Sequence, residues 1–141
     1  MNRFLKATTK GLKQGLKTTW MLAKIIVPVY IGVWILQRTV IIEWVNLLFE
    51  PLMQYFGLPG EASIVLVLGN LVNIYAALGA MAAFKLTAVQ ITVLSVMLSF
   101  SHTLLIETAV TKKIGVSALL VVLTRLGLSG LCGLLTTILL N

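Results

Sequence analysis

Four apolar runs divide the chain, over residues 20–42, 62–84, 86–110 and 116–140. Each is long enough to cross a bilayer as a helix, which takes about 20 apolar residues. Two of the runs carry polar interruptions. Gly69-Asn70-Leu71-Val72-Asn73-Ile74-Tyr75 breaks the second run. Ser99-Phe100-Ser101-His102-Thr103, followed by Glu107-Thr108, breaks the third. An unsatisfied polar group in hydrocarbon costs several kcal/mol. Polar residues at that depth therefore face a partner or a water-filled path. Two interrupted helices in one small membrane protein predict a transporter-type binding site.

Ahead of the first run, Arg3, Lys6, Lys10, Lys13 and Lys17 alternate in steps of three and four, which makes one stripe on a helix. Leu5, Leu12 and Leu16 lie on a different side. Residues 1–19 thus read as an amphipathic helix in the interface, with its lysines near lipid phosphates. This polar, basic start does not fit a cleavable signal peptide. Residues 43–61 hold Glu43, Glu50 and Glu61 and no basic residue. Within them, 43–56 predicts a short amphipathic helix, and Phe56-Gly57-Leu58-Pro59-Gly60-Glu61-Ala62 a turn into the next helix. Lys112-Lys113-Ile114-Gly115 is a basic turn before the last run. The small pair Ser129/Gly133 in that run suggests a helix-packing contact, and the run also carries Arg125.

The basic arm predicts a cytoplasmic N-terminus. Four full crossings would then place Lys112 and Lys113 outside. A re-entrant hairpin in either interrupted run would bring them inside, with the C-terminus outside. Such backbone is tolerated where protein or water covers it.

Composition supports the membrane assignment. Of 141 residues, 59% are hydrophobic and 11% charged, against about 25% charged in a soluble domain. Mean hydropathy is +1.04. The net charge of +7 belongs to residues flanking apolar spans, as anionic lipid requires, rather than to nucleic-acid binding. One cysteine, Cys132, forms no internal disulfide and reads as packing. One His and one Glu in the third run fall short of the three protein ligands usual in a catalytic metal site, so no metal is expected. Adjacent Ser101 and His102 diverge on a helix, which argues against a hydrolase triad.

The candidate solute-binding residues are Asn70, Asn73, Ser99, Ser101, His102 and Glu107. Asn70 and Asn73 share a face if the helix continues, and their amides suit a polar solute. The alternative is that they bond backbone carbonyls freed near Gly69. His102 and Glu107 are ionisable groups inside the third run. They suit a proton relay or an amine site, or else form a structural pair across the bundle.

The segments Gly11-Leu12-Lys13 to Lys24-Ile25-Ile26-Val27-Pro28, the turn 56–62, Gly69-Asn70-Leu71-Val72-Asn73-Ile74-Tyr75-Ala76-Ala77, and Ser101-His102-Thr103 through Val110 with the basic turn after it carry a family resemblance. The chain resembles the nucleoside-recognition, or Gate, family of bacterial membrane proteins, which includes the spore maturation proteins A and B. The resemblance implies that both interruptions contact solute. Four or so spans enclose little volume, so a second copy or a homologous partner chain is expected to complete the unit. Related gates in ferrous iron permeases carry cysteines near the interruptions, and this chain has none there.

The expectation is therefore an all-α polytopic membrane protein of the cell (inner) membrane. It has an interfacial helix at 1–19 and a transmembrane Gate-like domain at 20–141. About four membrane segments are expected, two of them interrupted or re-entrant. The expected function is binding of a small polar solute by an oligomeric, half-size transporter-like unit, without cofactor or catalysis. The rival expectation is a membrane scaffold without transport activity.

Overall fold

The computed structural model describes residues 2–140, with side chains from Lys6 onward, so Arg3 and Leu5 of the basic stripe lie outside the described side chains. The described residues form helices and turns without strands. The helices are α1 (Asn2–Leu36), α2 (Val40–Met53), α3 (Ser63–Leu71), α4 (Ile74–Ala83), α5 (Ala88–Ser101), α6 (Leu104–Lys113) and α7 (Ala118–Leu140). Two 3-10 turns, Gln54–Phe56 and Gly60–Ala62, link α2 to α3.

One difference from expectation is α1. It runs unbroken through residue 19 and stops at Leu36, short of the predicted 42. Thr18-Thr19-Trp20 contains no helix breaker, so arm and span are one helix. Its 35 residues span about 52 Å at 1.5 Å per residue. That exceeds the roughly 30 Å of hydrocarbon, so the basic end extends beyond it. A turn at 37–39 ends the helix: the Thr39 hydroxyl donates to the Leu36 carbonyl at 2.7 Å, and Gln37 Nε2 donates to the Ala83 carbonyl at 2.9 Å. Arg38 lies 4.0 Å from the Trp34 ring centroid, a cation–π contact.

The run at 62–84 is interrupted, as its polar residues predict. It folds as two half-length helices, α3 of 9 residues and α4 of 10. Each reaches about 14–15 Å, half the hydrocarbon thickness. They turn back on each other at Val72-Asn73. A Cβ at Gly69 would lie 3.2 Å from the Ala77 Cβ, which fixes an antiparallel pair centred on the turn. This is a helical hairpin with both open ends on the side away from the turn. Glycine lets α4 lie tightly along α1, since a Cβ at Gly79 would sit 2.8 Å from the Ile26 carbonyl oxygen. The Gln37–Ala83 bond, further along both helices, makes that pair parallel.

Contacts between α3 and α5 run in step, from Gln90 Nε2 on the Gly57 carbonyl (3.2 Å) to the Thr103 N–H on the Gly69 carbonyl (3.0 Å). α3 is therefore parallel to α5 and antiparallel to α1. It follows that the basic end of α1 and the Lys112-Lys113 turn occupy one end of the molecule. Glu43, Glu50 and Glu61 occupy the other, with Lys85. α2 turns by 89° into the α3 segment and lies across the mouth of the hairpin. A capping box at Thr87/Gln90 starts α5.

The core lies between α3, α4 and α5. Val65, Ala77, Ala80, Val93, Leu94 and Leu98 are buried, with Val33 of α1 and Met53 of α2 closing it. α7 packs antiparallel on α5 through the predicted small pair. Ser129 donates to the Met97 carbonyl at 2.8 Å, and a Cβ at Gly133 would meet Met97 Cγ at 2.7 Å. The outer faces of α1 and α7 are apolar and exposed, as contact with lipid requires. α1, the joined α5–α6 segment and α7 are each long and apolar enough to cross a membrane.

Candidate functional site

The two polar interruptions meet. At the tip of the hairpin, the N–H groups of Val72 and Asn73 both bond the Leu68 carbonyl, at 3.0 and 3.2 Å. This closes α3 and leaves the Gly69 carbonyl for another donor. That donor is the Thr103 N–H, in the break between α5 and α6. Thr103 holds φ 52° and ψ 34°, a left-handed conformation that costs a threonine about 1 kcal/mol or more. Its hydroxyl lies 2.8 Å from the His102 carbonyl and 3.0 Å from Glu107 Oε1.

Each predicted residue takes a definite place. Asn73 caps α4, its Oδ1 accepting from the Ala76 N–H at 2.9 Å. Asn70, at the end of α3, has a buried Oδ1 without a hydrogen-bond partner among the described residues. The hydroxyl of Ser99 is exposed and donates to the Ser95 carbonyl of its own helix at 2.8 Å. Ser101 is buried, donates to the Met97 carbonyl at 3.0 Å and accepts from Ser129 at 3.4 Å. His102 ends α5, with Nδ1 2.8 Å from the Leu98 carbonyl. A carbonyl only accepts, so Nδ1 carries a proton and donates to it. The Gly69–Thr103 bond thus joins Asn70 to His102, Thr103 and Glu107 as one locale. Ser101 faces α7 and Ser99 the outside.

Sequence reasoning missed the partner of Glu107. It is Arg125 of α7, whose Nη1 bonds Glu107 Oε2 in a salt bridge. Arg125 Nε also donates to the Phe100 carbonyl at 2.7 Å, and Nη2 to the His102 carbonyl at 3.4 Å. The guanidinium therefore sits on the free carbonyls at the end of α5, where the helix dipole favours a cation. Glu107 occupies the first turn of α6, where the dipole favours an anion. The signal available in the sequence was a lone arginine in an apolar run. Its partner lies 18 positions away, and the antiparallel course of α6 and α7 had to be known to pair them. Thr108, part of the second interruption but not among the candidate binding residues, has a buried and unpartnered Oγ1 like Asn70 Oδ1.

The arrangement offers oriented backbone ends, an internally balanced charge pair and two buried polar atoms free to bond. Among the described residues no group of three or more His, Cys, Asp or Glu side chains could hold a metal ion.

A family described as nucleoside recognition, Gate, matches residues 19–129, which include both interruptions and Arg125. The chain is 43% identical over 119 residues to the uncharacterized membrane protein YvoD of Bacillus subtilis (strain 168). That alignment covers 84% of this chain and 38% of YvoD, so the chain spans well under half of that relative. No solved structure matches the chain. The family match extends over most of the chain and over every element of the locale just described: the chain belongs to the Gate, or nucleoside-recognition, family of membrane proteins.

Proposed function

We propose that the chain is a half-size, transporter-like unit that binds a small polar solute where the hairpin tip meets the break between α5 and α6. The observation that carries this reading is the Gly69–Thr103 bond, with the buried, unpartnered Asn70 Oδ1 next to it in the chain. Helix ends at membrane depth supply donors and acceptors that water would otherwise satisfy. The first N–H groups of α6 and the last carbonyls of α3 would frame the solute, with Asn70 and His102 selecting it. Transport requires the tip to separate from the break, exposing the solute to one side and then the other. The role is binding, not catalysis, since Ser101 and Glu107 are engaged with Met97 and Arg125.

A second chain completes the unit, either another copy or a homologous Gate partner. So few spans enclose little volume, and α7 has space for a close neighbour at Gly127 and Gly130, where an added Cβ would meet nothing within 4 Å. The N-terminus is assigned to the cytoplasm of a cell-membrane protein. Lys6, Lys10, Lys13 and Lys17 share an end with Lys112 and Lys113, and the glutamates occupy the opposite end. A thermal-shift screen of purified protein against nucleosides, amino acids and metal ions tests the reading, because a ligand bound to the native state raises Tm. A nucleoside-class shift lost in Asn70→Ala supports it. The rival scaffold reading rests on the internally satisfied Arg125–Glu107 and Ser101–Ser129 contacts. It predicts no ligand shift, and loss of assembly in the same variants.

A further inference from the structure

We propose that Arg125 sets the charge selectivity of this site, so that it takes an uncharged solute bearing N–H donors and rejects both anions and cations. The inference rests on the solute-binding reading above and adds the class of solute. Glu107 is the sole carboxylate in the break. Its side chain is 46% exposed, against 19% for Arg125, so the carboxylate presents an open face while the guanidinium is largely enclosed. Left alone, that carboxylate would attract amines and cations. Arg125 removes that field. One nitrogen binds Glu107, and two others are committed to the Phe100 and His102 carbonyls. With three of its five N–H groups engaged and its charge balanced by Glu107, the guanidinium is a poor clamp for a phosphate or carboxylate. What remains buried and unpartnered is uncharged: Asn70 Oδ1, an acceptor, and Thr108 Oγ1, next to Glu107 in the chain. An acceptor left unpaired is expensive in a water-poor site, so these groups favour a solute that brings N–H or O–H donors. The structure thus assigns Arg125 as a positioning residue that acts through Glu107.

The test uses the purified full chain in lipid discs and three probes on one scaffold: uridine, uridine 5′-monophosphate and 5′-amino-5′-deoxyuridine. Binding is read by thermal shift and calorimetry for the wild type, Arg125→Gln, Arg125→Lys and the double variant Arg125→Gln/Glu107→Gln. Wild type and Arg125→Lys are expected to bind uridine and discriminate against both charged probes. Arg125→Gln unmasks the carboxylate and should move the ratio of amine to uridine affinity by about tenfold or more. The double variant, neutral again, should return to uridine preference. A purely structural arginine would lower all three affinities together and give no reversal in the double variant, and that result overturns the proposal. If Arg125→Gln does not fold, the double variant decides, because its pair is replaced by neutral groups of similar size. It must prefer uridine, and preference for a charged probe there or in the wild type overturns the inference while leaving solute binding intact. Binding of none of the three probes by the wild type overturns the solute-binding reading itself.

Discussion

Gly60→Ala is the sharpest perturbation of the hairpin, because Gly60 is where α2 crosses the start of α3. A Cβ at this position would stand 2.3 Å from the Asn46 carbonyl oxygen and 2.7 Å from Asn46 Oδ1. The first contact is with backbone, which cannot rotate away, so α2 and the turn must separate. Overpacking of this kind costs about 1–3 kcal/mol. Separation also stretches the bond from the Glu61 N–H to Asn46 Oδ1, now 3.2 Å, worth about 1 kcal/mol. The sum is roughly 2–4 kcal/mol, or about 8–16 °C in Tm for a chain of this size. Asn46→Ala alone should cost about 1 kcal/mol. Combined with Gly60→Ala it should not rescue, because the backbone oxygen remains. Gly32→Ala is the control: nothing lies within 4 Å of its added Cβ, and helix propensity should raise stability by up to about 1 kcal/mol. The assay is reversible unfolding in detergent followed by circular dichroism. A Gly60→Ala variant within about 0.5 kcal/mol of wild type would refute the packing of α2 on the hairpin entry.

The two asparagines should separate stability from binding. Asn73→Ala removes the α4 cap and is expected to cost about 1 kcal/mol in unfolding experiments, whereas Asn70→Ala removes an unpaired buried acceptor and should leave stability near wild type while abolishing any solute-induced shift. On the α5–α7 seam, Ser129→Ala should lose about 0.6–1 kcal/mol from the bond to Met97. Gly133→Leu should lose several kcal/mol, because its side chain would enter the space of Met97 and Phe56; both are measured by unfolding in the same detergent.

The breaks were legible because polar residues inside apolar runs are conspicuous, and Asn70, Asn73, His102 and Glu107 all lie at or beside helix ends. The turn at 56–62 was legible too: Gly57 takes φ 63° and Pro59 stands before the second 3-10 turn. Whether the run at 62–84 crosses or turns back was not. Twenty-odd apolar residues fit one span or two half-spans equally by length. The choice is made by packing, through the approach of Gly69 to Ala77 and of Gly79 to Ile26, which no local pattern encodes. The continuous α1 was hidden by the change from a basic stripe to an apolar run, which alters the surroundings of a helix without ending it. The Arg125–Glu107 pair depended on the relative course of two helices, so each charge was visible and their union was not.

The proposed binding site requires the hairpin to enter and leave by one face, so that its tip meets the break from within the membrane. Cysteine labelling in whole cells and inverted vesicles tests this most directly, using Cys132→Ala as background and single cysteines at Glu50, Lys85, Lys113 and Lys6. Positions 50 and 85 should label from one side, and positions 113 and 6 from the other. A position 85 that labels with position 6 and opposite to position 50 would mean that residues 62–84 cross the membrane, and would contradict that arrangement.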